Sequence, residues 1–320
     1  MVREEVGLDR ERLPGIARRA TIRSMSERLE GGAGTLYLVG TPIGNLGDMT
    51  ERARATLASV DLVAAEDTRR TRGLLTSLGL RARLMSFHDA NERERTEQLL
   101  TELRGGRDVA VVSDAGMPGL SDPGFLLVRA CADAGIDVRV VPGPSSVVSA
   151  LVVSGLPADR FVFEGFLPRR AAERRTHLDA LTAEPRTLVF FESPRRLSAT
   201  LRAVVEVLGD RRVAVARELT KVHEEVVRGR ASEVLRSFEE REPRGEIVLV
   251  VEGAPERRSA SSAEELAAEA GRLVAGGMRA RDAARAVARH HGASANEVYR
   301  ALVESRRGRA AGGPEDPTSR

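Results

Sequence analysis

Lys221 is the single lysine in a chain of 320 residues whose lysines and arginines number 50. It closes the segment RELTK (217–221) at the end of an apolar run. An ammonium can release a proton or act as a compact point charge, which an always-protonated guanidinium cannot do. Its survival where every other basic position is arginine marks Lys221 as a candidate to meet a reacting group, with Glu218 on the same strand end to position it. Glu66 and Asp67 in AAEDTRRT, and His88 with its neighbour Asp89 in FHDANE, add groups able to take a proton. Each also has a plainer use: a solvated ion-pair cluster with Arg69 and Arg70 for the first pair, a satisfied loop imidazole for His88.

Three loops are rich in glycine and proline. GTPIGNLGD (40–48), DAGMPGLSDPG (114–124) and PGPSS (142–146) each follow a short apolar run. Glycine lets backbone amides approach a ligand closely and proline fixes the turn. Asp122 is placed to cap a helix starting at Pro123, and Ser145 or Ser146 to cap the next one. Capping leaves Gly116, Met117 and Pro118 unexplained, at a position where a small ligand is expected. No GxGxxG and no GK[ST] occurs, so neither a Rossmann fingerprint nor a nucleoside triphosphate loop is indicated. One cysteine and no HExxH leave no reason to expect a metal.

The elements that must hold these loops alternate. LYLVG (36–40), DLVAAE (61–66), RLMSF (83–87), VAVVS (109–113) and VRVV (138–141) read as strands, with Glu92–Leu103 and Pro123–Ala134 among the helices between them. This order predicts a parallel sheet with ligand loops beyond the carboxyl ends of its strands. A break at 155–159 opens a second lobe, with strands at 161–166, 187–193, 212–218, 225–230 and 246–253 and helices including Arg195–Leu208 and Ala231–Glu240. The fold class expected is α/β and two-lobed, a parallel-sheet lobe at 34–155 and a mixed-sheet lobe at 156–254. Beyond a linker at 255–262, residues 263–305 carry three helical segments, and ARDAARAVARHHGASANEVYRAL has a helix-turn-helix outline that an ordinary helical hairpin would share. Residues 1–33 and 306–320 are expected to be disordered.

Net charge is only +3, which neither requires nor excludes a nucleic acid, since a local patch suffices to neutralise phosphates. A charged N-terminus, the lone Cys131 and the lack of any long uncharged apolar run fit a cytoplasmic protein without a membrane span.

Taken together, GTPIGNLGDMTERA, AAEDTRRT, FHDANE, VSDAGMPGLSDPG, VPGPSSVVSAL, EGFLPRR, FFESPRRL, ARELTKVHEE and GEIVLVVEG resemble, in order over residues 35–253, the tetrapyrrole methylase superfamily. Within it they are most similar to the ribosomal RNA small subunit methyltransferase I group, 2′-O-methyltransferases of cytidine 1402 in 16S rRNA. The resemblance implies S-adenosyl-L-methionine in a cleft between two α/β lobes, a homodimer, and 16S rRNA or the 30S subunit as partner. It implies cofactor contacts at Pro42, Gly44, Asp114, Gly116, Met117, Pro118, Ser145 and Ser146. Lys221, Glu66, Asp67 and His88 are then the catalytic candidates, and Arg69 and Arg217 the RNA contacts. The extension at 1–33 and the C-terminal helices depart from the pattern. Two other functions stay open: a small-molecule methyltransferase of the tetrapyrrole type, which precorrins against 30S subunits would separate, and a non-catalytic RNA-binding factor, which would not be stabilised by the cofactor.

Overall fold

The computed structural model describes residues 32–241, 243–255, 262–291 and 293–311. The chain divides into two compact units, 1–253 and 254–320. Of the stretch expected to be disordered at the N-terminus, 1–31 lies outside the described residues.

The first unit opens with a five-stranded sheet in the order β3-β2-β4-β1-β5, built from β1 (Leu36–Val39), β2 (Leu62–Ala65), β3 (Leu84–Ser86), β4 (Val109–Val112) and β5 (Val138–Val141). All four pairings are parallel. α1 (Glu51–Ser59), α2 (Thr68–Ser77), α3 (Glu92–Arg104) and α4 (Phe125–Asp133) make the crossovers. LVAA in β2 and VAVV in β4 are buried at every position, as strands covered on both faces must be. Alternation along the strands divides them between two cores. Leu36, Leu62, Ala64, Val109 and Val111 enter one, while Tyr37, Val39, Val63, Ala65, Ala110 and Val112 enter the other. The connections leaving β1 and β2 run one way across the sheet and that leaving β4 runs the other, so their loops part at the carboxyl edge and leave room there.

A second sheet, in the order β6-β7-β10-β8-β9, comprises β6 (Phe161–Phe166), β7 (Thr187–Glu192), β8 (Arg212–Arg217), β9 (Glu225–Arg230) and β10 (Ile247–Val251). Only β6 and β7 pair in parallel; the other three pairings are antiparallel, giving the mixed sheet expected. α6 (Ala171–Ala180), α7 (Pro194–Val207) and α8 (Ala231–Glu239) accompany it.

α5 (Ser146–Ser154) joins the two sheets. Its sequence, SVVSALVVS, is apolar on nearly every side. Val147, Ala150 and Leu151 pack against Val189, Ala214, Ala216, Val248 and Val250 of the second sheet, and Ile43 and Leu219 enter the same cluster. The glycine loop after β1 and the turn after β8 are therefore tied to one hydrophobic core. Gly155, at φ 73°, ends α5 in the left-handed conformation.

The second unit consists, among its described residues, of α9 (Ala263–Ala275), α10 (Ala280–His291) and α11 (Ala295–Ala311). Leu266, Ala270, Ala284, Val287, Val298 and Leu302 form its own core. Ser262 and Glu265 start α9 with a reciprocal capping box. α11 continues to Ala311, through part of the tail expected to be disordered, because RRGRAA extends the helix-forming sequence; 312–320 lie outside the described residues.

Candidate active site

The loops after β1, β4 and β5 form one platform. A Cβ on Gly40 would lie 2.7 Å from the backbone nitrogen and Cα of Gly143 and 2.7 Å from the Met117 sulfur, so only glycine allows these strand ends to meet. Thr41 and Gly116 exchange two backbone hydrogen bonds, of 2.9 and 3.1 Å, and Gly116 sits at φ 85°, a conformation L-residues adopt at a cost. Gly116 and Pro118 are buried, Pro42 and Met117 half-buried, and Gly44 exposed. Of the two serines proposed as caps, Ser145 does the capping, its hydroxyl accepting the Val148 amide at 3.4 Å. Ser146 begins the helix and faces a cavity.

Opposite this platform lies the RELTK turn. Glu218 and Thr220 have φ of 51° and 67°. Each such residue costs on the order of 1–3 kcal/mol and persists only where its surroundings fix it. Here the Glu218 amide donates to the Glu246 carbonyl at 2.9 Å, the Lys221 amide to the Glu218 carbonyl at 3.0 Å, and the Thr220 amide to the Glu224 carboxylate at 2.6 Å. Lys221 Nζ donates to Glu218 Oε1 at 2.8 Å and to Glu246 Oε2 at 3.1 Å. Burial alone would lower the Lys221 pKa, but the two carboxylates outweigh it and hold the ammonium above its ordinary value. Burial likewise opposes the charge on Glu218, and its bonds from Lys221 and the Glu246 amide nevertheless keep it below the usual carboxylate range. A Lys221 so held is a donor and a positive charge beside the glycine loop.

The platform and the turn touch through one glycine. A Cβ on Gly44 would fall 2.4 Å from Lys221 Cγ and 2.8 Å from its Cε, so the aliphatic stem of Lys221 lies directly over the first glycine loop. Beside it a cavity of about 310 Å³, counting its open mouth, is lined by Ile43, Ala115, Ser146, Leu219 and Glu246. All three glycine-rich loops, the turn after β8 and the residue before β10 thus contribute to one space.

The carboxylates of the first sheet form a separate cluster. The Asp114 amide donates to Glu66 Oε2 at 3.2 Å, the Asp67 amide to Asp114 Oδ1 at 3.1 Å, and Arg70 lies 3.2 Å from Asp114 Oδ2. Asp114 thereby ties β4 to β2. Asp67 is the N-cap of α2, accepting the amides of Arg69 at 2.7 Å and Arg70 at 3.3 Å, and those bonds hold its pKa below the ordinary value. Its carboxylate is thus engaged with the start of α2. Asp122 does not cap α4. That helix starts two residues later than expected, at Phe125, because Gly124 takes φ 141° and the amides of Gly124 and Leu126 donate instead to Glu92 Oε1, at 2.8 and 3.2 Å. Asp122 is pushed up to about 6 by burial and by the nearby charges of Glu66, Asp114 and Asp89, against a hydrogen bond with Ser113. Sequence reasoning missed this group, having used it up as a cap.

His88 stands apart from both clusters. Its amide donates to Asn91 Oδ1 at 2.8 Å and its Nε2 lies 3.2 Å from Asn91 Nδ2, so the orienting partner is Asn91 and not Asp89. Arg217 is committed to Glu225 at 3.1 Å and donates to the Arg244 carbonyl, with its side chain only 19% exposed. Its guanidinium is therefore engaged within the second sheet. Arg69 is 90% exposed, 3.8 Å from Asp67, and available to a partner. Among the described residues no group of three or more His, Cys, Asp or Glu is arranged to hold a metal ion, and no helix is long and apolar enough to cross a membrane.

A parallel lobe and a mixed lobe meeting over glycine-rich loops define a methylase of the tetrapyrrole class: the family profile of the tetrapyrrole (corrin/porphyrin) methylases matches residues 35–235. The crystal structure of the methyltransferase CobJ shares the fold, with a TM-score of 0.54 at 20% identity over 69% of this chain and 95% of that one. A ribosomal RNA small subunit methyltransferase I from Thermotoga maritima is 52% identical over 220 residues, 69% of this chain and 99% of that protein. One from Mycobacterium tuberculosis is 49% identical over 289 residues, 89% of this chain and 99% of that protein. The chain belongs to this family of tetrapyrrole methylases, in the ribosomal RNA small subunit methyltransferase I branch.

Proposed function

We propose that this protein is an S-adenosyl-L-methionine-dependent methyltransferase of small-subunit ribosomal RNA, acting on the ribose 2′-hydroxyl of cytidine 1402, as a cytoplasmic homodimer. The observation that carries the reading is the contact of Gly44 with Lys221, which brings the glycine loops of one lobe and the charged turn of the other to a single cavity. The site suits the cofactor: backbone groups at Pro42, Gly44, Gly116, Met117 and Pro118 and the start of α5 at Ser146 offer donors for a carboxylate, Ile43 and Leu219 offer apolar wall, and Glu246 offers negative charge near a sulfonium. When bound, S-adenosylmethionine supplies an electrophilic methyl group.

The chain's own residues handle the proton. A ribose hydroxyl is a weak acid and needs help to attack. Glu246 lines the cavity and is the carboxylate placed to accept that proton. Lys221 spends two of its three N–H donors on Glu218 and Glu246, leaving one for the oxygen that the proton leaves. The platform fixed by Gly40, Gly116 and Gly143 holds the reactants in line, so that little orientation remains to be found on encounter. Ribose methylation mapped in 16S rRNA from a deletion strain, with and without this gene restored, tests the reading. Absence of the 1402 modification after restoration would reject it.

A further inference from the structure

Behind the Lys221 turn lies a second and larger opening. A cavity of about 750 Å³, counting its open mouth, is bounded by Ser193, Pro194 and Arg195 at the start of α7 and by Pro243, Arg244 and Gly245 before β10. A neighbouring cavity shares Pro243 and Arg244 and reaches Arg217, Arg241 and Glu225.

The arginines here divide by what already holds them. Arg196, next to Arg195 in SPRRL, lies 3.2 Å from the fully buried Glu192 and donates to the Leu167 carbonyl at 2.5 Å. Arg217 and Arg241 share Glu225, at 3.1 and 2.7 Å. Arg195 and Arg244 are exposed, and neither has a carboxylate partner among the described residues. Four guanidiniums thus line the two cavities against one carboxylate, Glu225, among the described lining residues. In a chain whose whole net charge is +3, two exposed guanidiniums without a carboxylate partner among the described residues bound this one cavity.

Its position gives it meaning. Gly245 bounds this cavity, while Glu246, the next residue, bounds the cleft and holds Lys221. Adjacent residues of one segment therefore bound the basic cavity and the cleft. A ribose within an RNA strand carries a phosphodiester on each side, so the wall adjoining the turn must meet polyanion. Resting on the RNA-methylation reading above, we propose that this cavity seats the RNA backbone next to the target ribose, with Arg195 and Arg244 as its phosphate contacts. Their planar forks of donors match phosphate oxygens, and among the described residues no carboxylate holds them.

The test uses the full-length protein and an RNA oligonucleotide spanning the target, with affinity followed by fluorescence anisotropy over a series of salt concentrations. Arg195→Ala and Arg244→Ala are each expected to weaken RNA binding about tenfold, the worth of one charge-assisted contact. Each should also reduce the slope of log K against log salt by about 0.7, the loss of one single-strand phosphate. Cofactor affinity by calorimetry and the rate at saturating RNA should stay at wild-type values, so that KM rises and kcat does not. Arg212→Ala, at the opposite end of β8, should keep the wild-type slope. Wild-type affinity and slope in the Arg195→Ala, Arg244→Ala double variant would overturn the assignment, and so would weaker binding with an unchanged slope. A wild-type protein that binds RNA with these two arginines but transfers no methyl to it would instead reject the proposed reaction and leave the binding site standing.

Discussion

At the residue scale the question is why one lysine is kept. Its stem lies on Gly44 and its nitrogen is held by two carboxylates, a geometry made for a narrow chain ending in a compact charge. Arginine is wider, and its planar fork holds its donors in fixed directions, so it cannot aim them at Glu218, Glu246 and a third oxygen as a rotating ammonium can. Lys221→Arg is therefore expected to slow single-turnover methyl transfer at saturating RNA and cofactor by at least about tenfold, near the 1.4 kcal/mol lower bound for losing one transition-state hydrogen bond. Cofactor affinity should fall far less. Transfer at the wild-type rate would reduce Lys221 to a replaceable charge. Asp122 gives a second expectation, in stability and not in rate. Its folded pKa is raised to about 6 from 3.8, so between those values the folded state holds a proton that the unfolded chain has lost. Stability then falls as pH rises through that window, and the full penalty is present above it. Asp122→Asn should flatten that part of the stability curve and make the protein more stable at neutral pH; urea titrations at a series of pH values would show it. An unaltered slope would mean that the carboxyl is better solvated than its surroundings suggest.

At the scale of elements, the platform depends on two glycines at neighbouring strand ends. Gly40→Ala places a methyl 2.7 Å from the Gly143 backbone, where no side-chain rotation gives relief. The strand ends must part, at a cost of about 1–3 kcal/mol, typical of overpacking. The urea midpoint should drop with an unchanged m value, and cofactor affinity should drop with it; a variant with wild-type values would show that β1 and β5 can separate freely. The strands themselves were legible because most are short Val-, Leu- and Ala-rich runs, and β5, β6 and β9 have the bounds their sequences predicted. The loops were legible as irregular backbone at the strand ends because glycine and proline crowd them. What the one-dimensional pattern could not carry was pairing between distant side chains. Arg217 looks free until β9 brings Glu225 to it, and Asp122 looks like a cap until Glu92, 32 residues from Gly124, takes the amides it was expected to serve. The left-handed turn at Glu218 and Thr220 was invisible for a related reason: neither residue type advertises a positive φ, and it is the bonds their amides donate to the Glu246 carbonyl and the Glu224 carboxylate that hold it.

At the scale of the whole molecule, the cofactor platform, the Lys221 turn and the basic cavity all fall within residues 1–253, and the three C-terminal helices have a core of their own. That division makes a clean separation of labour testable. In the C-terminal unit Leu266, Ala284, Val287 and Leu302 face inward, which leaves the arginines of α10 to the outside; Arg281, which lies 5.9 Å over the Tyr299 ring, is one of them. A basic helix face on a self-contained unit suits a second, sequence-tolerant hold on RNA, since phosphate contacts add affinity without reading bases. Truncation after Gly253 is accordingly expected to leave thermal stability and calorimetric cofactor affinity of the remaining unit close to those of the full chain. Affinity for 30S subunits should fall, and KM for them should rise more than kcat changes, because the reacting groups are all retained. Titrating salt refines the expectation: the truncated protein should show a shallower salt dependence than the full chain, having lost phosphate contacts, while the contribution of Arg195 and Arg244 should persist in it undiminished. A truncated enzyme that methylates 30S subunits with full efficiency and the full salt slope would assign the helices some purpose other than holding RNA.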